Sequence, residues 1–269
     1  MIEIKDLVFS YGKDLVLENI STHLEEGRIY GLLGENGVGK TTLLTLLCGL
    51  KKAGRGSILT DGENPFDRSP SLLEKQYYLP DEVAPVAMGA AEYAKERGRF
   101  WPNYDHNLFL QIMKEFETEP GQVMSKMSAG QLKKTYISFA LATGAKYLFM
   151  DEPTNGLDIP SKSQFRRVIA QNMTDDRTVI ISTHQVHDVE QLLDHILILD
   201  QRSLLLDASV QDISEQYTFE YRTPQQMDDS VLYAEPTLQG NAVIARRQEG
   251  DAETQINLEL LFNYKTQNK

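Results

Sequence analysis

A glycine-rich segment, GENGVGKT at residues 34–41, constrains the fold of this chain most strongly. It follows the apolar run RIYGLL, which reads as a strand, and precedes TTLLTLLCGL, whose apolar residues lie nearly all round a helix. The segment fits the P-loop pattern, because its glycines let backbone N–H groups curl round an anion at the positive end of the following helix. The alternative is a flexible strand-to-helix turn that binds nothing.

The expected phosphate site covers this loop and one residue beyond it. Lys40 is expected to reach the outer phosphates as a point charge, and the Thr41 hydroxyl is expected to hold a magnesium ion. The residues that we expect to bind nucleotide here are Gly34, Glu35, Asn36, Gly37, Val38, Gly39, Lys40, Thr41 and Thr42.

Short β-rich runs alternate with helical stretches in the first half of the chain, which predicts helices packed on a largely parallel sheet. Downstream, KYLFMDEP, TVIISTH and HILILD read as three more buried strands, each ending at a polar group. Ligands of open parallel sheets lie beyond the carboxyl ends of the strands, which is where these polar groups fall.

Three polar side chains at these strand ends are predicted to act on the bound nucleotide. Asp151 and Glu152 are adjacent in an extended chain and so point to opposite sides, which gives them different partners. We assign Asp151 to the magnesium shell and Glu152 to orienting and activating the attacking water. His184 is expected to hydrogen-bond the γ-phosphate and that water. The alternatives are carboxylates that cap a strand end in solvent and a histidine that is an ordinary satisfied polar residue.

Composition limits the partners of the chain. A formal net charge of -12 and a pI of about 4.9 argue against binding to nucleic acid or anionic lipid, which carry the same sign. No apolar run approaches the roughly 18 to 20 residues that span a bilayer, so we expect a cytosolic chain that reaches a membrane through a protein partner. Cys48 lies in an apolar helical run, which indicates a small buried side chain, and one cysteine leaves no disulfide or zinc framework within the chain.

These residues resemble the nucleotide-binding domain of ABC-type ATPases, and the resemblance extends over residues 1–216. The family signature LSGGQ stands here as MSAGQ, before a helix. In the family this segment binds the γ-phosphate held by the P-loop of the opposing subunit, which implies that Ser128, Ala129, Gly130 and Gln131 contact the ATP of a partner. Ser128 and Gln131 also form a capping box, which alone would explain the pair, and both roles can hold.

Three further positions take roles from the resemblance. Tyr11 matches the aromatic residue that stacks on adenine, and a turn aromatic before Gly12 is the alternative. Asp158, in NGLD, matches the loop that contacts its counterpart across the dimer. Asp81, in YLPDE, stands where the family usually has Gln. A carboxylate there is expected to meet magnesium or water and to change the usual rate of hydrolysis or coupling.

The resemblance also implies a fold and a division of the chain. The expected fold class is α/β: a P-loop NTPase core with a mostly parallel sheet and an N-terminal antiparallel β part, spanning residues 1–216. An α-helical subdomain is expected to be inserted at about residues 83–145. A small C-terminal α+β extension is expected over residues 217–269.

The implied function is that of an ATPase subunit that uses ATP and Mg²⁺ and dimerises with an identical or a related chain. Its expected partner is a polytopic membrane transporter subunit, and its expected place is the cytoplasmic face of the cell membrane. The segments FWPNYD and LELLFNYK look like those of ATPases that serve ABC-2-type exporters. One alternative is a soluble ABC ATPase of an assembly machine, such as iron-sulfur cluster assembly. Another is a module that no longer hydrolyses ATP, which the presence of Lys40, Asp151, Glu152 and His184 disfavours.

Overall fold

The computed structural model describes residues 1–238 and 240–267. Its strands within them are Ile2–Tyr11 (β1), Asp14–Leu24 (β2), Ile29–Leu33 (β3), Arg55–Thr60 (β4), Gln76–Leu79 (β5), Tyr147–Asp151 (β6), Thr178–Thr183 (β7), His195–Asp200 (β8), Ser203–Ser209 (β9), Tyr217–Arg222 (β10), Val231–Thr237 (β11) and Gly240–Arg246 (β12). The α-helices are Lys40–Leu47 (α1), Pro70–Leu73 (α2), Ala90–Gly98 (α3), His106–Glu115 (α4), Ala129–Ala142 (α5), Ile159–Gln171 (α6), Val210–Gln216 (α7) and Leu258–Gln267 (α8). Among these described helices, none has the length and apolar character needed to span a bilayer.

The sheet that carries the site has the strand order β5-β6-β7-β3-β8-β9, in which only β9 runs antiparallel to its neighbour. Strands β3, β6 and β7 are buried along their whole length, as expected when both faces of a sheet are covered. These three adjacent strands lead into the P-loop, into Asp151 and Glu152, and into His184. The largely parallel sheet predicted from the alternating pattern is confirmed, and it gathers these residues at one edge.

A second, antiparallel sheet of order β2-β1-β4 covers α1. Its apolar residues Ile4, Leu7 and Leu17 join Leu43 of α1 in one buried cluster. This packing fixes α1, and hence the P-loop at its N-terminus, between the two sheets. Cys48 lies in the same cluster at 4% exposure, so the expectation of a small buried side chain is confirmed, and burial raises the pKa of its thiol to about 11.

Helices α3, α4 and α5 form a layer beside β5. Phe139 of α5 is 1% exposed and makes ring contacts with Tyr77, Tyr93, Trp101 and Tyr104, with centroids 5.5 to 5.9 Å apart. This aromatic cluster joins the helical layer to the edge of the central sheet. The segment FWPNYD, with Pro102, lies between α3 and α4 and interrupts the helical layer.

The C-terminal part consists of the antiparallel sheet β10-β12-β11 and helix α8. Leu258, Leu260 and Leu261 of α8 are buried in the same apolar cluster as the central sheet. This part therefore packs on the core. The division into a unit of residues 1–216 and a unit of residues 217–269 stays a prediction, and residues 239, 268 and 269 of the second unit lie outside the described residues.

Candidate active site

The P-loop runs from the end of β3 to α1, whose first residue is Lys40. Gly37 has a φ of 84° and Gly39 a φ of 114°, left-handed values that favour glycine. Lys40 Nζ donates hydrogen bonds to the carbonyl oxygens of Gly34 at 2.7 Å and of Glu35 at 3.1 Å. The ammonium is thus folded back along the loop and lies within reach of an anion that the loop encloses.

An open cavity of about 380 Å³ lies in front of this loop. The N-terminus of α1 faces it, and the unpaired N–H groups of a helix N-terminus favour an anion. The residues that line the cavity are Tyr11, Val16, Asn36, Gly37, Gly39, Lys40, Thr41, Thr42, Asp81 and Glu152. Residues predicted from four separate stretches of sequence therefore share one cavity of a size suited to a small ligand.

Asp151 accepts hydrogen bonds from three hydroxyl groups. Thr41 Oγ1 donates to Oδ2 at 2.6 Å, Tyr78 donates to the same oxygen at 3.3 Å, and Ser182 Oγ donates to Oδ1. Burial and the neighbouring Asp151 charge raise the pKa of Tyr78 above its ordinary value, so its phenol remains a donor. The pair of Thr41 and Asp151 offers a hydroxyl and a carboxylate side by side, which are the hard oxygen ligands that Mg²⁺ prefers, so these residues fit the predicted ion.

Glu152 faces the ammonium of Lys40 and the ring of His184. Its Oε1 lies 3.4 Å from Lys40 Nζ and 2.9 Å from His184 Nδ1, although neither pair is aligned as a hydrogen bond. Asp151 and Glu152 have different partners, as predicted. The predicted reason, that both residues lie in an extended chain and point to opposite sides, is wrong. Glu152 is not extended: its φ is 45°, in the left-handed region, which turns its side chain back towards the loop.

The signature segment opens α5 as a capping box. Gln131 N–H donates to Ser128 Oγ at 3.2 Å, and Ser128 N–H donates to Gln131 Oε1 at 2.9 Å. Ser128 and Ala129 are exposed, and none of residues 128–131 lines the P-loop cavity of its own chain. The capping geometry is present, and it leaves the N-terminus of α5 open to an outside ligand.

Of two further predicted residues, Tyr11 lines the cavity and Asp158 does not. Tyr11 is 46% exposed, its hydroxyl lies 3.2 Å from Thr42 Oγ1, and Lys51 Nζ sits 4.8 Å from its ring. Asp158 caps α6 by accepting a hydrogen bond from Ser161 N–H at 2.9 Å, and hydrogen bonds from Ser161 lower the pKa of Asp158.

Asp81 lies in the cavity, but its carboxylate contacts Lys133 and Asn155 rather than the pair of Thr41 and Asp151. Its Oδ1 is 3.5 Å from Lys133 Nζ and accepts a hydrogen bond from Asn155 Nδ2 at 3.2 Å. The sequence alone indicated no role for Lys133 or for the hydroxyl groups of Tyr78 and Ser182. A polar residue inside a buried strand and a lysine on an apolar helix were the signals that could have indicated them.

The fold and the cavity define a P-loop nucleotide-binding protein of the α/β class. The family model described as ABC transporter matches residues 17–155. The chain therefore belongs to the ABC transporter family: it is an ATP-binding subunit of that family and an ATPase.

Among its relatives, the ABC transporter ATP-binding protein YtrB of Bacillus subtilis is 26% identical over 219 residues, which cover 81% of this chain and 75% of YtrB. The bacitracin transport ATP-binding protein BcrA of Bacillus licheniformis is 30% identical over 210 residues, covering 76% of this chain and 68% of BcrA. A solved ATP-binding subunit of an ABC transporter superposes with a TM-score of 0.73 at 22% identity, over 79% of this chain and 91% of that one. This last likeness confirms the predicted fold.

Proposed function

We propose that this chain is the ATP-hydrolysing subunit of an ABC-2-type exporter, that it closes into a dimer on ATP, and that it drives a polytopic membrane partner. Its similarity to the SkfA peptide export ATP-binding protein SkfE of Bacillus subtilis, at 29% identity over 222 residues, supports export. A cobalt import ATP-binding protein is equally similar, at 29% over 220 residues. The export direction therefore rests on the resemblance of FWPNYD and LELLFNYK.

The proposed ATP position follows from the cavity. The loop N–H groups and Lys40 hold the outer phosphates, and the ring of Tyr11 stacks on adenine from the exposed side. Thr41 and Asp151 would hold Mg²⁺, and the bound ion would supply positive charge that offsets the charge of the phosphates. Catalysis at such a site is mainly positioning and charge stabilisation around the γ-phosphate.

Glu152 is the proposed base that orients the attacking water. Its Oε1 is buried and makes no aligned hydrogen bond with any described residue, which is a costly state for a carboxylate oxygen. Glu152 also lines the P-loop cavity, so a water bound in that cavity can donate to the accessible part of its carboxylate. His184 holds the orientation of this carboxylate, since its Nδ1 lies 2.9 Å from Oε1 and its main-chain N–H donates to Oε2 at 3.4 Å.

The observation that carries the dimer is the separation of the signature from the P-loop cavity of its own chain. The exposed N-terminus of α5, with Ser128 and Gly130, is an anion cradle, and no carboxylate of a described residue makes a recorded hydrogen bond to it. A second subunit, placed head to tail, brings its own P-loop and ATP to this cradle. Each ATP is then held between the P-loop of one chain and the signature of the other.

A groove of about 470 Å³ is the proposed seat for a helix of the membrane partner. It is lined by Cys48, Leu50, Arg68, Pro70, Leu73, Glu74, Gln76, Tyr77, Tyr78, Phe100 and Trp101. Phe100 is 65% exposed, so the groove offers apolar surface to a partner helix. Tyr78 connects the groove to the active site, since its hydroxyl binds Asp151.

Isolation of the chain from gently solubilised native membranes tests this function. We expect a polytopic membrane protein in stoichiometric amount, and a Phe100→Asp variant should lose it while retaining ATP binding. Recovery only from the soluble fraction, with soluble partners, would contradict the transporter role and favour an assembly ATPase.

A further inference from the structure

Lys133 is a buried cation to which the roles above give no part. It lies in the second turn of α5, and its side chain is only 6% exposed. Burial lowers the pKa of Lys133, and the charge of Asp81 opposes that shift. A buried ammonium is costly unless it is paired and hydrogen-bonded, so its partners indicate what it does.

The Lys133 ammonium joins three elements of the site. It donates to the main-chain oxygen of Asp81 and lies 3.5 Å from Asp81 Oδ1. It also donates to the main-chain oxygen of Glu152 at 3.4 Å. One side chain of α5 therefore holds both the YLPDE loop after β5 and the residue that follows β6.

The Glu152 backbone is strained, and its N–H group and its carbonyl group are held by different residues. A φ of 45° is uncommon for a residue other than glycine and persists only where the surroundings enforce it. The Glu152 N–H donates to the carbonyl oxygen of Ser182 at 3.0 Å, while its own carbonyl accepts from Lys133 and from the Asn155 N–H at 3.1 Å. Lys133 is thus the only charged side chain among the described residues recorded as a donor to this carbonyl.

We propose that Lys133 is a positioning residue for ATP hydrolysis: its ammonium fixes the Glu152 backbone and the Asp81 loop to each other. The YLPDE loop lies next to the groove for the membrane partner. A displacement of this loop would therefore also move Glu152, whose carboxylate orients water. In this arrangement Asp81 serves as the counter-ion of Lys133. The inference rests on the proposed role of Glu152.

The test compares steady-state ATPase kinetics of Lys133→Met, which keeps an unbranched side chain without the charge, with those of the native chain. We expect kcat to fall roughly 10- to 100-fold, because small displacements of a catalytic group cost this much, while KM for ATP changes by less than about threefold. Lys133→Arg, which retains a cation, should recover part of the lost kcat. Lys134→Met is the matched control, since the neighbouring Lys134 donates to the carbonyl of Phe116 at 3.2 Å on the other side of α5.

A double-mutant cycle with Asp81→Asn adds a readout that a loss of folding stability would not produce. Because the two residues share one contact, Asp81→Asn should lower kcat by less in the Lys133→Met background than in the native chain. Strictly additive effects, or an unchanged kcat in folded Lys133→Met, would overturn the proposal.

The role of Lys133 and the role of Glu152 can be tested separately. If Lys133→Met does not fold, Asp81→Asn alone tests the contact from its partly exposed side, and an unchanged kcat there overturns the proposal. If Glu152→Gln retains full turnover, the proposed function of Glu152 fails first. If Glu152→Gln is inactive and Lys133→Met is normal, only the inference fails.

Discussion

Glu152→Gln tests the chemical assignment of the site with little change of shape. The substitution keeps the side-chain volume but removes the charge that lies 3.4 Å from Lys40 Nζ. Loss of a positioned general base lowers turnover by about 10²- to 10⁴-fold, or roughly 3 to 5 kcal/mol in activation free energy. We therefore expect phosphate release to fall at least about a hundredfold.

The same substitution should change the response of the protein to nucleotide. Lys40 and Glu152 are both buried, so removal of the carboxylate charge leaves Lys40 to be neutralised by ATP alone. The variant without nucleotide should lose roughly 1 to 3 kcal/mol of unfolding free energy, and ATP should restore it. The thermal shift on adding ATP should thus exceed that of the native chain.

The assays for this variant are phosphate release, thermal unfolding with and without ATP, and light scattering for an ATP-dependent dimer. Glu115→Gln, on α4 away from the cavity, is the matched control. Undiminished phosphate release by folded Glu152→Gln would refute the assignment of the base.

Three other predictions test different parts of the site and the core. Ser128→Arg should abolish hydrolysis while ATP binding, measured by thermal shift, is retained; a large loss of stability with normal turnover per folded protein would leave only the capping role. Asp151→Asn should raise the Mg²⁺ concentration needed for half-maximal ATPase activity, and an unchanged Mg²⁺ dependence would remove Asp151 from the ion shell. Phe139→Ala should cost about 3 to 5 kcal/mol in denaturant unfolding, because it empties the centre of the aromatic cluster, and a cost below about 1 kcal/mol would contradict that packing.

The parts of the fold that the sequence predicted are those with a local pattern. The P-loop, the buried strands and the helix after MSAGQ each have a pattern that is complete within a few residues. The apolar run YLFM before Asp151 is one such pattern, and it predicts a buried strand. Strands β2 and β4 did not stand out, because their partners in the N-terminal sheet lie elsewhere in the sequence and their register contains bulges.

The parts of the site that the sequence did not predict depend on contacts between distant segments. Asp151 is held by Tyr78 and Ser182, which come from two other strands. The contacts of Asp81 with Lys133 on α5 and with Asn155 after β6 depend on how these elements pack, so no local sequence pattern predicts them. The left-handed backbone of Glu152 likewise follows from the turn after β6, since strand alternation alone would have continued the extended chain.

The central claim is that each ATP is hydrolysed between the P-loop and Glu152 of one chain and the signature of a second chain. Mixing the two inactive variants Glu152→Gln and Ser128→Arg before adding ATP tests it most directly. A head-to-tail dimer of one of each has one intact site of two, so an equal mixture should regain about a quarter of the native phosphate release. A mixture as inactive as its components would contradict the shared site.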